Sequence, residues 1–97
     1  MAHWPFSDPR NVSVFANRHI FDDQEWIAYV THDLDDGAWQ FHTSAPELAE
    51  ADAVLVSLEQ IVMRDPSVAL LADLPLGWHA WRDSETAAWQ RAKMPNA

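Results

Sequence analysis

Glu25-Trp26-Ile27-Ala28-Tyr29-Val30-Thr31-His32, then Asp33-Leu34-Asp35-Asp36-Gly37, then Ala38-Trp39-Gln40-Phe41-His42-Thr43 read as strand, acidic turn and strand. Trp26, Ile27, Tyr29 and Val30 have strand density, and Trp39 and Phe41 lie two apart, so one face of a β-hairpin is apolar. Its register decides which side chains enter the core, because a slip of one residue exchanges the faces. A two-residue Asp36-Gly37 turn sets His32 opposite Phe41, beside Val30, Leu34 and Trp39 on the core face. A five-residue loop, Asp33 to Gly37, sets Tyr29 opposite Phe41 and turns His32 away. The longer loop is preferred here, since three carboxylates repel one another in a tight turn.

Working outward, Val12 to Phe21 reads as a strand with a bend or bulge near Asn17, and Asp22-Asp23-Gln24 as a turn. Ser44-Ala45-Pro46-Glu47 has the spacing of a capping box and predicts a short helix to about Ala51. Asp52 to Val56 reads as a strand. Ser57-Leu58-Glu59-Gln60 repeats the capping spacing and opens a helix over Leu58 to Arg64. Asp65-Pro66 starts another helical turn, with Val68, Leu71 and Leu74 facing the core and Leu74-Pro75-Leu76-Gly77 ending it. Trp78 to Arg82 reads as a strand, while Ser84 to Met94 is open between helix and a last short strand. Residues 1–11 form an irregular arm that Trp4 and Phe6 pin to the core, and 12–97 form one domain. The pattern predicts an α+β fold with a single antiparallel sheet and short helices packed on one side.

The chain has 97 residues, 48% of them hydrophobic, enough for one core and not two. Fifteen Asp and Glu against six Lys and Arg give a net charge of −9. That field repels nucleic-acid phosphates and anionic membranes and attracts a basic protein. Cysteine is absent, which removes disulfides, thiolate metal sites and a cysteine nucleophile. The start lacks a charged leader with an apolar block, and the longest apolar run is Val68 to Ala72, so the expected location is cytoplasmic, without a membrane segment.

No reaction is legible. His32-Asp33 resembles the pair of metal phosphohydrolases only as a dipeptide at a strand end. Asp33-Leu34-Asp35-Asp36-Gly37 has a calcium loop's alternating carboxylates, but the position that should carry a bidentate Glu falls on Ser44 rather than Glu47. His3, His19, His32, His42 and His79 lack metal-ligand spacings. Gly-x-Ser-x-Gly is missing, and two glycines cannot build a phosphate cradle. The sequence therefore predicts no catalytic residue, metal or cofactor. Of the six tryptophans, most of Trp26, Trp39, Trp78, Trp81 and Trp89 are expected in the core, with one or two left as interface anchors.

Four ordered blocks carry a resemblance: Asp36-Gly37-Ala38-Trp39-Gln40-Phe41; Val56-Ser57-Leu58-Glu59-Gln60-Ile61; Asp65-Pro66-Ser67 with Leu70-Leu71; and Leu74-Pro75-Leu76-Gly77-Trp78-His79-Ala80-Trp81-Arg82. Over residues 12–92 the chain resembles the bacterial immunity-protein-33-like domain family, although its His79-Ala80-Trp81 replaces the Phe and small residues of that stretch. The resemblance implies a small α+β domain that neutralises a cognate toxin without catalysis. Together with the charge, it predicts an acidic protein-binding domain whose partner-facing residues are Asp22, Asp23, Asp33, Asp35 and Asp36. The competing expectation is a housekeeping accessory or regulatory module that binds a small molecule or another protein. A small hydrolase is the third and weakest class.

Overall fold

The computed structural model describes residues 3–45 and 49–95. Its strands are β1 (Ser13–Asn17), β2 (Tyr29–His32), β3 (Trp39–His42), β4 (Ala53–Ser57), β5 (Trp78–Trp81) and β6 (Gln90–Lys93). Its helices are α1 (His19–Asp22) and α2 (Leu58–Arg64), with 3-10 turns at Glu50–Asp52 and Pro66–Leu71. The strands form one sheet in the order β4-β1-β3-β2-β5-β6. The domain is α+β, and the undecided tail resolves as strand β6.

The hairpin adopts neither expected register. Tyr29 pairs with His42, Val30 with Phe41, Thr31 with Gln40 and His32 with Trp39. The Asp33 N–H donates to Ala38 O at 2.8 Å and the Gly37 N–H to Asp33 O at 2.9 Å, with Gly37 in the left-handed region at φ +72°. The splayed five-residue loop fails because its carboxylates find donors. Asp33 Oδ2 accepts from Gln40 Nε2 at 2.6 Å, and Asp36 Oδ1 accepts from the Ala38 N–H at 2.9 Å. His32 consequently joins Val30, Trp39 and Phe41 on the core face, stacked on Trp39 at 3.9 Å between ring centroids.

A wholly antiparallel sheet is also corrected at one place: β1 and β3 are parallel, with Ala16 beside Phe41. After β1 the chain passes through α1 and residues 23–28 to β2, and the hairpin then folds β3 back into the gap between them. Two strands running the same way become neighbours without a crossover helix between them. The expected strand over 25–32 shortens to β2, and the residues after the Asn17 bend form α1, which the strand reading of 12–21 missed.

Alternation along the strands sends Val14, Ala16, Val30, Trp39, Phe41 and Ala80 to one face, where they bury against Ile20, Leu58, Ile61, Val68, Leu71 and Leu74 of the helical layer. The helices lie on that side, as expected. The Ser57 capping box opens α2, and Asp65 caps the Pro66 turn through the Ser67 N–H. The helix expected after Ser44 falls largely on residues 46–48, outside the described residues; Ser44 and Ala45 themselves are not helical. In the arm, Phe6 enters the core, and the Trp39 indole donates to Asp8 Oδ2 at 2.7 Å.

Both sheet edges are blunted. The Leu58 N–H reaches Val12 O and the Arg18 N–H reaches Asp52 O, so in β4 the odd-numbered residues point their N–H groups outward. That of Ala53 turns back to Glu50 O and that of Ser57 to Gln60 Oε1. Leu55 alone of the three is left to template another strand. At the other edge, β6 carries Arg91 and Lys93. Among the described residues, no helix is long and apolar enough to cross a membrane.

Candidate functional site

Among the described residues, no helix packs on the second face of the sheet. Phe15 and Leu55, paired across β1 and β4, stand 46% and 63% exposed there. Tyr29, Gln40, His42, His79 and Trp81 continue the face across β3, β2 and β5. Tyr29 and His42 are 5.9 Å apart between ring centroids, Tyr29 and His79 meet edge to face at 5.5 Å, and His79 and Trp81 do so at 5.3 Å. The Tyr29 hydroxyl and His79 Nδ1 share a 2.7 Å hydrogen bond. Burial raises the Tyr29 pKa, with the Asp33 charge adding to it. Burial also lowers the His42 pKa, against the pull of Asp33, so His42 favours its neutral form.

Two clefts open at opposite ends of this face. The larger, about 610 Å³, lies where β1 and β3 end and β2 begins, between Trp26, Tyr29, His42, Thr43 and Asp83. One of its walls is Arg82, a buried guanidinium that donates to Ile27 O (2.8 Å), Ser67 Oγ (3.0 Å), Glu85 O (2.9 Å) and Asp65 Oδ2 (2.5 Å) and lies 4.2 Å over the Trp89 ring. The smaller, about 420 Å³, lies at the hairpin tip and is lined by Asp33, Leu34, Asp35, Asp36, Tyr29, His79, Met94 and Pro95.

The five acidic residues expected at an interface do not form one patch. Asp33, Asp35 and Asp36 stay together at the smaller cleft. Asp22 and Asp23 follow the far end of β1 and are engaged there: Asp22 accepts from Arg18 at 3.0 Å, and Asp23 hydrogen-bonds His19. The separation follows from β1 and β3 running parallel, since the hairpin loop precedes β3 whereas Asp22 follows β1. Of the five tryptophans expected mostly in the core, Trp39 is in it and Trp78 and Trp89 pack against it, leaving Trp26 and Trp81 half-buried. Only Trp39 of the six is fully buried, and in β5 alternation sends Trp78 to the core side and Trp81 to the open face. Sequence reasoning passed over Phe15, Leu55, Tyr29, His79 and Met94 as partner-binding residues, and named Trp81 only within the set of tryptophans from which an anchor was expected. Alternation in β1 and β5 was the signal for the strand residues, but it needed the pairing partners to say which face is uncovered. Among the described residues, no three His, Asp or Glu side chains gather to hold a metal ion.

Thr31, 7% exposed, rises from this face between Tyr29 and Asp33, and its Oγ1 is buried without a hydrogen-bond partner among the described residues. Thr31→Val is therefore expected to raise stability by about 1 kcal/mol, since an unsatisfied buried hydroxyl costs on that order; urea unfolding checks this through the midpoint at unchanged slope.

His19 gives a pH prediction. Its hydrogen bond to Asp23 raises its pKa above 6.5, burial opposes this, and the charge of Asp52 adds to it. Because the folded pKa is raised, this stabilisation is fully present below the unfolded value and is lost as pH rises through the folded one. The melting-temperature gap between the wild type and His19→Asn should thus be wider at about pH 6 than at about pH 8.

No family of known proteins, no curated protein and no solved structure matches this chain.

Proposed function

We propose that this chain is a non-enzymatic binding protein of the immunity or inhibitor type, whose helix-free sheet face and acidic hairpin tip receive a basic protein partner such as a cognate toxin. The observation that carries the reading is one uncovered sheet face on which Phe15 and Leu55, then Gln40 and His42, then Tyr29, His79 and Trp81 follow in strand order, with the carboxylates of Asp33, Asp35 and Asp36 at its end. Aromatic anchors beside charge are the composition of interface hot spots and their rims. The net charge of −9 supports a partner of opposite sign over nucleic acid or an anionic membrane. Action in the cytoplasm, the location expected from the sequence, belongs to the same reading.

The larger cleft favours a second reading, an accessory or regulatory module that binds a small molecule between Trp26 and Tyr29. Association kinetics separate the two. A partner captured by the intact chain should associate more slowly as salt rises, because exposed charges are screened beyond about 8 Å at physiological ionic strength, while dissociation changes little. An association rate flat in salt would remove the electrostatic reading and leave the accessory module.

A further inference from the structure

We propose that the larger cleft takes a free nucleobase or nucleoside by its lactam edge, a ring C=O with an N–H beside it. The inference rests on the small-molecule reading above, whose ligand it names, and not on the docking of a protein. The cleft lies past the ends of β1 and β3, which run parallel. There β1 passes into α1, whose Ile20 is buried on the helical side, whereas β3 runs on through Thr43. Crevices beyond the carboxyl ends of parallel strands, where the connections diverge, are where ligands settle. Asn17, Thr43 and Arg82 line this one, three of the four buried polar residues among those described. Burying polar groups costs free energy, so their gathering around one opening marks a built site.

Asn17 supplies a donor. It is 4% exposed, and its Oδ1 accepts the His19 N–H at 2.9 Å, which leaves Nδ2 to face the cleft with no hydrogen-bond partner among the described residues. His42 supplies an acceptor. Asp33 takes the Gln40 Nε2–H, so Gln40 turns its Oε1 to His42 Nε2 at 3.1 Å. That ring nitrogen therefore carries the hydrogen, and Nδ1 is left bare in the neutral ring that burial favours. Asn17 and His42 come next in the β1–β3 register after Ala16 and Phe41, on strands about 4.8 Å apart. The spacing suits a lactam, with its C=O toward Asn17 and its N–H toward His42.

The charges around the cleft select a neutral ring. Arg82 spends four of its five N–H bonds on Ile27, Ser67, Glu85 and Asp65, and the Asp65 carboxylate balances it. Asp83 on the cleft wall repels an anion, and the net charge of −9 repels the phosphates of nucleotides. Trp26 and Tyr29 give a planar ring aromatic surface to lie against, and about 610 Å³ holds a nucleoside whole.

The test is a nuclear magnetic resonance titration of the full chain with uridine, inosine and the forms methylated at the lactam nitrogen, 3-methyluridine and 1-methylinosine. Uridine or inosine should shift the Asn17, Tyr29 and His42 amides and the Trp26 indole N–H, and methylation should weaken binding about tenfold. His42→Phe should erase that difference, because it removes the acceptor of the lactam N–H. Asn17→Asp keeps Oδ1 for the His19 N–H but turns the donor into an acceptor, and should weaken the unmethylated nucleosides about tenfold. Asn17→Ser, which keeps a neutral cap, makes the same measurement if a charge at that position unfolds the chain. Uridine monophosphate and oligouridine should bind more weakly than uridine; tighter binding of the oligonucleotide would assign the cleft to single-stranded RNA and overturn the proposal. So would equal binding of the methylated forms, shifts elsewhere on the protein, or unchanged affinity in both Asn17 variants. Phenol shifting the same amides where neither nucleoside does would remove the lactam and leave the small-molecule reading standing. Failure of phenol as well would remove both.

Discussion

Arg82→Ala is expected to cost about 3–5 kcal/mol, the usual loss when one member of a buried, hydrogen-bonded ion pair is removed. Arg82 joins the segment before β2 and the Asp65–Ser67 turn to its own loop, through Ile27 O, Asp65 Oδ2, Ser67 Oγ and Glu85 O. Its loss leaves Asp65 without its cation and the Ile27 and Glu85 carbonyls without this donor. The Trp89 indole, which donates to the same Ser67 hydroxyl at 3.1 Å, also loses the guanidinium packed over its ring. A domain of this size has about 5–15 kcal/mol of stability in all, so the variant should be marginal at 37 °C, and thermal unfolding would show a drop of tens of degrees. The double change Arg82→Met with Asp65→Asn, which keeps an acceptor for the Ser67 N–H while removing the unpaired charge, should recover part of the loss. A single-variant loss below about 1 kcal/mol would mean that the network is solvated and not a clamp.

Trp39→Ala is expected to be nearly as damaging, about 3–5 kcal/mol by the measure of large-to-small core changes. The indole is held by His32 stacked on one side, Phe6 edge-on at 5.5 Å, and Asp8 accepting its N–H. Three segments distant in sequence meet on this one ring: the arm, β2 and β3. The change should therefore release the arm as well as open a cavity, so limited proteolysis should cut near residues 7–10 before the domain unfolds. Trp39→Phe keeps most of the packing but leaves Asp8 unpaired, and should cost about 1–2 kcal/mol.

What the sequence revealed and what it hid divide along physical lines. The caps were legible because their signals are local: a Ser three residues before a Gln, and an Asp followed by Pro, both satisfy backbone donors within a single turn. The hairpin was legible as an element, yet its register was not. Repulsion among the three carboxylates argued for a splayed loop, whereas Asp33 and Asp36 are held by Gln40 and the Ala38 amide, contacts that exist only after the strands pair. The parallel meeting of β1 and β3 depends on where the chain re-enters the sheet, which no strand encodes in its own residues. The candidate face suffered the same loss. Phe15 and Leu55 read as ordinary strand residues, and only the placement of α1, α2 and the Pro66–Leu71 turn on the opposite side leaves them uncovered. The acidic hairpin tip was visible from composition alone, because adjacent carboxylates are costly to bury. Asp22 and Asp23 looked equivalent to it but are committed to Arg18 and His19 at the other end of the sheet.

In the proposed function a partner docks on the open sheet face and the hairpin tip. Hydroxyl-radical footprinting of the complex tests it most directly, because the reactive side chains divide between the two sides of the molecule. Phe15, Tyr29, Leu55, Trp81 and Met94 belong to the open face and its acidic end, while Met63 and Leu70, 76% and 69% exposed, stand on the helical layer. Protection of the first group with Met63 and Leu70 still reacting at their free rate is the predicted result; protection of Met63 and Leu70 with Phe15, Leu55 and Trp81 unchanged would contradict it.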